Sequence, residues 1–208
     1  MKKYFVLTIL FVLPLVAYLF FASGINNFAK LPVLKKDVIN INTFSDKKFD
    51  DKISILTFLG DNIENKKGDI LNLNQKIYKR FYKFNDFQFI AIGTKKINMQ
   101  VENLVTQLQS GTNTEMTKWF FLLQESKYSK NLFESLGTDL KLDEFHGSPY
   151  VFIIDKKGFL RGRNDSDGIK FGYDMRSVAE LNNYMVDDVK IILAEYRLAL
   201  KKNNILDN

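Results

Sequence analysis

Apolar residues fall along this chain in two rhythms. Three apolar runs of strand length, ISILTFLG (53–60), DFQFIAIG (86–93) and KWFFLL (118–123), read as strands, and the first has the pattern of a strand buried on both faces. Between the first two, Ile70, Leu73, Ile77 and Phe81 recur at helical spacing with lysines around them. After the second, Val101, Leu104, Val105 and Leu108 mark another helix, which Ser110 and Gly111 end. Leu132, Phe133 and Leu136 mark a short helix stopped by Gly137. The stretch YVFIIDKKGFLRGR (150–163) reads as a β-hairpin around the turn DKKG. Met185, Val189, Ile192, Tyr196 and Leu200 form the stripe of a long C-terminal helix, with Asp187 and Asp188 near its start and Lys201 and Lys202 near its end, as the helix dipole favours. The order β-α-β-α-β-α-ββ-α predicts an α/β domain. Right-handed crossovers give parallel neighbours, and the hairpin adds antiparallel strands, so the sheet is mixed and flanked by helices.

The N-terminus follows a different rule. After Lys2 and Lys3, residues 4–22 are apolar except for Thr8 and Pro14. Nineteen helical residues span roughly 28 Å, close to the ~30 Å hydrocarbon core of a bilayer. The expectation is a single transmembrane helix, with the lysines holding the N-terminus in the cytoplasm and the C-terminal domain outside, in the periplasm. The competing reading is a cleaved signal peptide with Ala22-Ser23-Gly24 as its small-residue site. The expected organisation is an anchor at 1–22, a tether at 23–50 with a short edge strand near Val38–Ile41, a folded domain at 51–203 and a tail at 204–208.

Composition narrows the chemistry. The 208 residues contain no cysteine, which excludes thiol redox catalysis, iron–sulfur clusters, thiolate metal sites and a lipid anchor on an N-terminal cysteine. The net charge of +6 is spread among interspersed acids and bases, with no Lys/Arg block beyond Lys2 and Lys3. That is a solvated surface and not a nucleic-acid footprint. No Ser–His–Asp arrangement and no phosphate-binding glycine loop is readable.

Four sets of side chains are candidates for function. His146 is the only histidine, either a metal ligand or a loop residue with a structural hydrogen bond. Asp61, Glu64 and Asp69 fit acid/base roles less well than capping of the helix that starts there, with Asn62 as a further capping residue. Met99, Met116, Met175 and Met185 lack a Met-x-x-Met spacing and read as core fillers. Arg161 and Arg163, two apart, share one face of the hairpin's second strand. They would hold a carboxylate, a phosphate or an acidic partner patch, or pair with Asp155, Asp165 or Asp167.

Several stretches carry a family resemblance. SPYVFIIDKKGFLRGR resembles the end of thioredoxin-like domains, where a proline precedes an apolar strand, an Asp and a Gly turn. MTKWFFLLQES, together with a membrane anchor ahead of the domain, resembles the Sco family over residues 35–203. Sco proteins are membrane-anchored, thioredoxin-fold factors that deliver copper to cytochrome oxidase or reduce the thiols of its copper site. The resemblance implies a thioredoxin-like fold and a cis peptide bond before Pro149. The family's copper ligands, a Cys-x-x-x-Cys and a distal histidine, fall on Glu64, Gly68 and Gly147, with His146 one residue away. The thioredoxin-type register instead falls on Ile63 and Lys66. The family's D-P after the second strand is replaced by IGTKK. The chain is therefore expected to be a non-catalytic binding or assembly protein without a cofactor, meeting the membrane through residues 4–22 and a protein partner in a membrane complex of respiratory biogenesis. Asp61, Asn62, Glu64, Arg161 and Arg163 are its expected binding surface. The alternatives are a copper carrier built on His146 with carboxylate or Met ligands, and an enzyme with acid/base chemistry at Glu64.

Overall fold

A computed structural model describes residues 2–22, 30–166 and 168–206. Seven strands form one mixed sheet in the order β1-β6-β5-β2-β3-β4, with β9 also pairing β5. The central strand β2 (Ile53–Gly60) and its parallel neighbour β3 (Phe87–Thr94) are buried along their whole length, as continuous apolar runs require. Beyond β3 lies β4 (Trp119–Gln124), also parallel. On the other side β5 (Gly147–Ile154) runs antiparallel to β2 and turns through Asp155–Phe159 into β6 (Leu160–Arg161). A separate two-stranded ribbon, β7 (Arg163–Asp165) and β8 (Gly168–Lys170), precedes β9 (Tyr173–Asp174).

Alternate residues of β2 feed two cores. Ile53, Ile55 and Leu59 pack under α2 (Lys67–Leu73), α4 (Asn98–Thr112) and α7 (Val186–Leu206). Leu56 and Phe58 face α5 (Ser126–Ser135), where Phe58 and Phe133 meet edge-on. The helix after β2 continues through a π turn at Asn74–Tyr78 into α3 (Lys79–Phe81). Within that turn, buried Asn74 donates to Leu108 O at 2.9 Å and to Thr112 Oγ1 at 3.2 Å, which ties the helix to the end of α4. A second π turn, Leu181–Met185, joins α6 (Val178–Glu180) to α7.

Three expectations are corrected. Residues 38–41 do not form a strand. Asn40 accepts from Asn42 N and donates to Asp50 at 2.6 Å, bending the chain into a 3₁₀ turn at Ile41–Thr43. The edge strand is instead β1 (Val33–Lys35), which pairs with β6. No peptide bond among the described residues is cis, so Ser148–Pro149 is trans. The chain reverses three residues earlier, at His146 (φ 58°), and Pro149 lies within β5, where the pairing with β2 shifts register. Arg161 and Arg163 are not an open surface: Arg161 is 6% exposed, and both are paired with carboxylates of α7.

The N-terminal segment forms a helix, α1 (Lys2–Ala22), with Pro14 inside it. Among the described residues no helix is long and apolar enough to cross a membrane. The side chains of Phe5, Leu7, Thr8 and residues 20–22 lie outside the described residues, so the expected span at 4–22 falls partly outside them. Residues 23–29 of the expected tether, Asp167 and the last two residues of the expected tail also lie outside.

Candidate functional site

The polar turn after β2 stands at the carboxyl end of the parallel strands, where this class of sheet places its ligands. Gly60 ends the strand at φ 70°, and a Cβ there would lie 2.1 Å from Phe145 O. The next residue, Asp61, donates its N–H to the same Phe145 carbonyl at 2.8 Å. The turn is thereby stitched to the loop 143–147 that leads into β5.

That loop is organised by Asp143. Its Oδ1 accepts from Phe145 N at 3.0 Å and Gly147 N at 2.8 Å, while its backbone accepts from His146 N at 3.0 Å. Its Oδ2 takes the ammonium of Lys66 at 2.5 Å. Lys66 is 7% exposed, rare for an ammonium unless it is paired. Burial pushes the Asp143 carboxyl up, but the hydrogen bonds from Lys66 and Gly147 outweigh it and leave the carboxyl below the usual carboxylate range. Gly147 makes room for the lysine, since a Cβ there would meet Lys66 Cε at 2.2 Å.

The remaining predicted residues separate into two groups. Asp61 belongs to the turn and pairs with Lys96 at 2.7 Å. Asn62 accepts from Asn65 N at 3.4 Å, while the N-cap positions of the two helical segments that start here are Ile63 and Lys66. Glu64 is exposed, 4.0 Å from Lys67, and Gly68 faces open space. The two Cys-x-x-x-Cys positions thus lie on the surface, whereas Ile63 and Lys66, the two Cys-x-x-Cys positions, are buried. His146 lines a shallow cavity of about 330 Å³ with Phe133, Leu140 and Leu142.

Arg161 and Arg163 lie apart from this turn, against α7. Arg161 donates to Asp155 Oδ2 at 2.9 Å, to Glu195 Oε2 at 2.7 Å and to the Leu31 carbonyl. Arg163 grips Asp188 with two hydrogen bonds of 2.7 and 2.8 Å, and Tyr173 Oη donates to the same carboxylate at 2.6 Å. The hydrogen bonds it donates to Asp188 hold the Arg163 guanidinium above its ordinary range, and burial pushes the Tyr173 hydroxyl far up. These are structural clamps. The residues that sequence reasoning missed are Asp143 as organiser and Lys66 as its partner. The available signals were the Cys-x-x-Cys register, which falls on Lys66, and the Asp-x-x-x-Gly spacing of DEFHG.

The donor set at this turn does not suit copper. Among the described residues no group of three His, Cys, Asp or Glu side chains converges. Asp143 is saturated by Lys66 and two backbone N–H groups, and an ammonium stands where a thiolate would bind. Met175 and Met185 are buried in the core, Met116 is packed against it, and Met99 is 81% exposed on α4.

No family model matches the sequence, and no curated protein matches it. Solved structures do. A SCO1/SenC family lipoprotein from Bacillus anthracis superposes with a TM-score of 0.50 at 16% identity, covering 78% of this chain and 99% of its own. BsSco, a member of the Sco family of cytochrome c oxidase assembly proteins, matches at 0.49 and 13% identity, covering 79% of this chain and 98% of its own. A putative electron transfer protein from Aquifex aeolicus matches at 0.45 and 14%, with coverages of 79% and 98%. The B. anthracis match shows the fold, which is thioredoxin-like and Sco-like; this chain is a divergent version of it without cysteine.

Proposed function

We propose that this protein is a non-catalytic binding or assembly module, anchored by residues 4–22 in the cytoplasmic membrane with its domain outside, and that it serves the biogenesis of a membrane complex. One observation carries the reading: an ion pair between buried Lys66 and partly exposed Asp143 stands in the redox register of the fold. A lysine that is paired and packed is neither a nucleophile nor a metal ligand, yet it holds the turn in shape. The turn then offers a fixed polar surface at Asn62, Glu64 and Lys67. The anchor is supported by α1, whose described apolar side chains, such as Leu10 and Phe11, are exposed, and by Lys2 and Lys3 ahead of them. The link to a respiratory complex comes from fold analogy with Sco proteins alone.

The test is site-specific photo-cross-linking of the full chain in its native membranes. A photoreactive residue at Glu64 or Lys67 is expected to give one discrete adduct with a membrane protein, and the same residue at Phe84, at the other end of the sheet, to give none. Equal labelling from all three positions would overturn the reading. So would recovery of the intact chain in the soluble fraction.

A further inference from the structure

The end of the sheet opposite the turn has its own organisation, set by Leu31, the second described residue of the domain. Its N–H donates to Glu195 Oε1 at 3.0 Å, and its carbonyl accepts from Arg161 Nε at 2.9 Å. Pro32 O then accepts from Gly162 N at 3.2 Å. The chain therefore enters the domain at a fixed point. The groove contacts locate that point: Lys30 and Val33 lie beside Asp155, Lys157 and Phe159 of the hairpin turn, and Val33 is level through Arg161 and Ile153 with Ile55, near the start of β2. Gly60 lies five residues further along β2, about 17 Å at ~3.3 Å per residue. Tether entry and polar turn are at opposite ends of the sheet.

Three features meet at the entry end. Only residues 23–30 separate Ala22 from Leu31, a reach of at most about 32 Å when fully extended. A groove of about 660 Å³ opens beside the entry point, lined by Val33, Phe159, Tyr196 and Leu198 and rimmed by Lys30 and Lys157. Charge there is mixed with an excess of lysine: Asp46 and Asp51 are paired with Lys47 and Lys48, and Asp50 accepts from Asn40. Asp155 and Glu195 are taken up by Arg161, and Asp86 by Lys156, whereas Lys30, Lys52, Lys118 and Lys157 have no carboxylate within ion-pair distance among the described residues. The ammoniums of Lys52 and Lys118 are left on the carbonyls of Asn85 and Phe84, and burial and then repulsion from Lys52 lower the pKa of Lys118.

We propose that this end of the domain docks on the anionic headgroup surface of the membrane into which the chain is anchored, with the lysines on the lipid phosphates and Val33 and Phe159 at the interface, so that the Gly60–Lys67 turn points away from the bilayer. The proposal rests on the anchoring reading above. A short tether keeps the face within reach of the bilayer, and unpaired lysines that close are drawn to anionic lipid within about a Debye length, ~8 Å at physiological salt. A soluble acidic protein would satisfy the same lysines, but nothing would confine it to the end where the chain enters.

Because the chain has no cysteine, single cysteines give unique labels. Val12→Cys, Val33→Cys, Lys157→Cys and Met99→Cys, each in the full chain and carrying an environment-sensitive fluorophore, are reconstituted into phosphatidylethanolamine/phosphatidylglycerol vesicles that contain quencher lipids. Quenching at 33 and 157 is expected to exceed that at 99 several-fold. The excess is expected to vanish in phosphatidylcholine vesicles, at about 1 M salt, and, for the label at 33, when Lys30→Glu and Lys157→Glu are combined. Quenching at 12 with positions 33 and 157 no higher than 99 would overturn the docking and leave the anchor standing. No quenching at 12 would overturn both. Proximity at 33 and 157 in native membranes but not in vesicles would assign the face to a protein partner and overturn lipid docking.

Discussion

Lys66 Nζ lies 2.5 Å from Asp143 Oδ2, across 77 residues of chain, and its methylene arm fills the space a side chain on Gly147 would need. The pair ties the helix that follows β2 to the loop that precedes β5. Its two partners are not equivalent. Asp143 is a third exposed and keeps two backbone N–H donors without the lysine, whereas Lys66 is buried. Asp143→Asn therefore leaves an uncompensated buried ammonium and is expected to cost about 2–3 kcal/mol, below the ~3–5 of a fully buried pair. Lys66→Met is expected to cost only about 1 kcal/mol. Urea unfolding of both variants checks the order; a costlier Lys66→Met would contradict it.

The same pair sets an acid limit. The Asp143 carboxyl is held below its ordinary value near 3.9, so the unfolded chain binds more protons than the folded one as pH falls. The stability it contributes is fully present above about pH 4 and is lost as pH drops through the folded-state pKa. Unfolding free energy measured from pH 6 down to pH 2 is expected to fall less steeply below pH 4 in Asp143→Asn than in the parent chain.

How much of this was legible follows from how far apart the partners are in sequence. The strands β2 and β3 were readable because a strand buried on both faces is apolar at every position, a local signal, and the edge strand β4 because its apolar run is just as continuous. The period-two relation of Arg161 and Arg163 placed them correctly on one side, but whether that side is open depends on α7, some 25 residues later. For the same reason the sequence does not show Lys66 to be buried and paired: its counter-charge comes from a distant loop. The reversal at His146 is only weakly marked in the sequence, because histidine's enrichment at positive φ is modest and the Asp143–Gly147 bond that holds the loop spans four residues.

The two glycines at the turn are expected to differ in their tolerance. Alanine at Gly147 meets Lys66, which can move, but also Leu59 O at 2.9 Å, which cannot; the expected cost is about 2 kcal/mol. Lys66→Ala in the same chain should recover only the lysine's share, as a double-mutant cycle would show. Gly60→Ala combines a left-handed backbone with Phe145 O and Gly147 N, both main-chain atoms, and is expected to cost about 3 kcal/mol or more.

Metal titration addresses the copper reading. A donor set of one histidine and saturated carboxylates is expected to bind Cu(I) or Cu(II) no more tightly than ~10 μM, about −7 kcal/mol. His146→Ala is expected to leave the calorimetric trace unchanged. A stoichiometric, tight site that disappears with His146 would show that the loop 143–147 rearranges around metal.

Arg161 is the residue whose loss should be felt most widely. It is surrounded by Asp155, which is 1% exposed, by Glu195 and by the Leu31 carbonyl, and no other cation pairs with either carboxylate among the described residues. Arg161→Met strands two carboxylates and a carbonyl, and the expected cost is about 3–5 kcal/mol. Arg161→Lys keeps the charge but offers a single ammonium in place of a planar fork that reaches three acceptors, so it should recover only part of the loss. Asp155 also accepts from Lys157 N at 2.9 Å and Phe159 N at 3.0 Å, so the hairpin turn should loosen along with the tether. Limited trypsin digestion reads this directly. Cleavage after Lys30, Lys35 and Lys157 is expected to accelerate in Arg161→Met well beyond cleavage after the exposed Lys127. Uniform acceleration at all sites would mean that the substitution lowers global stability without releasing the point where the chain enters the domain.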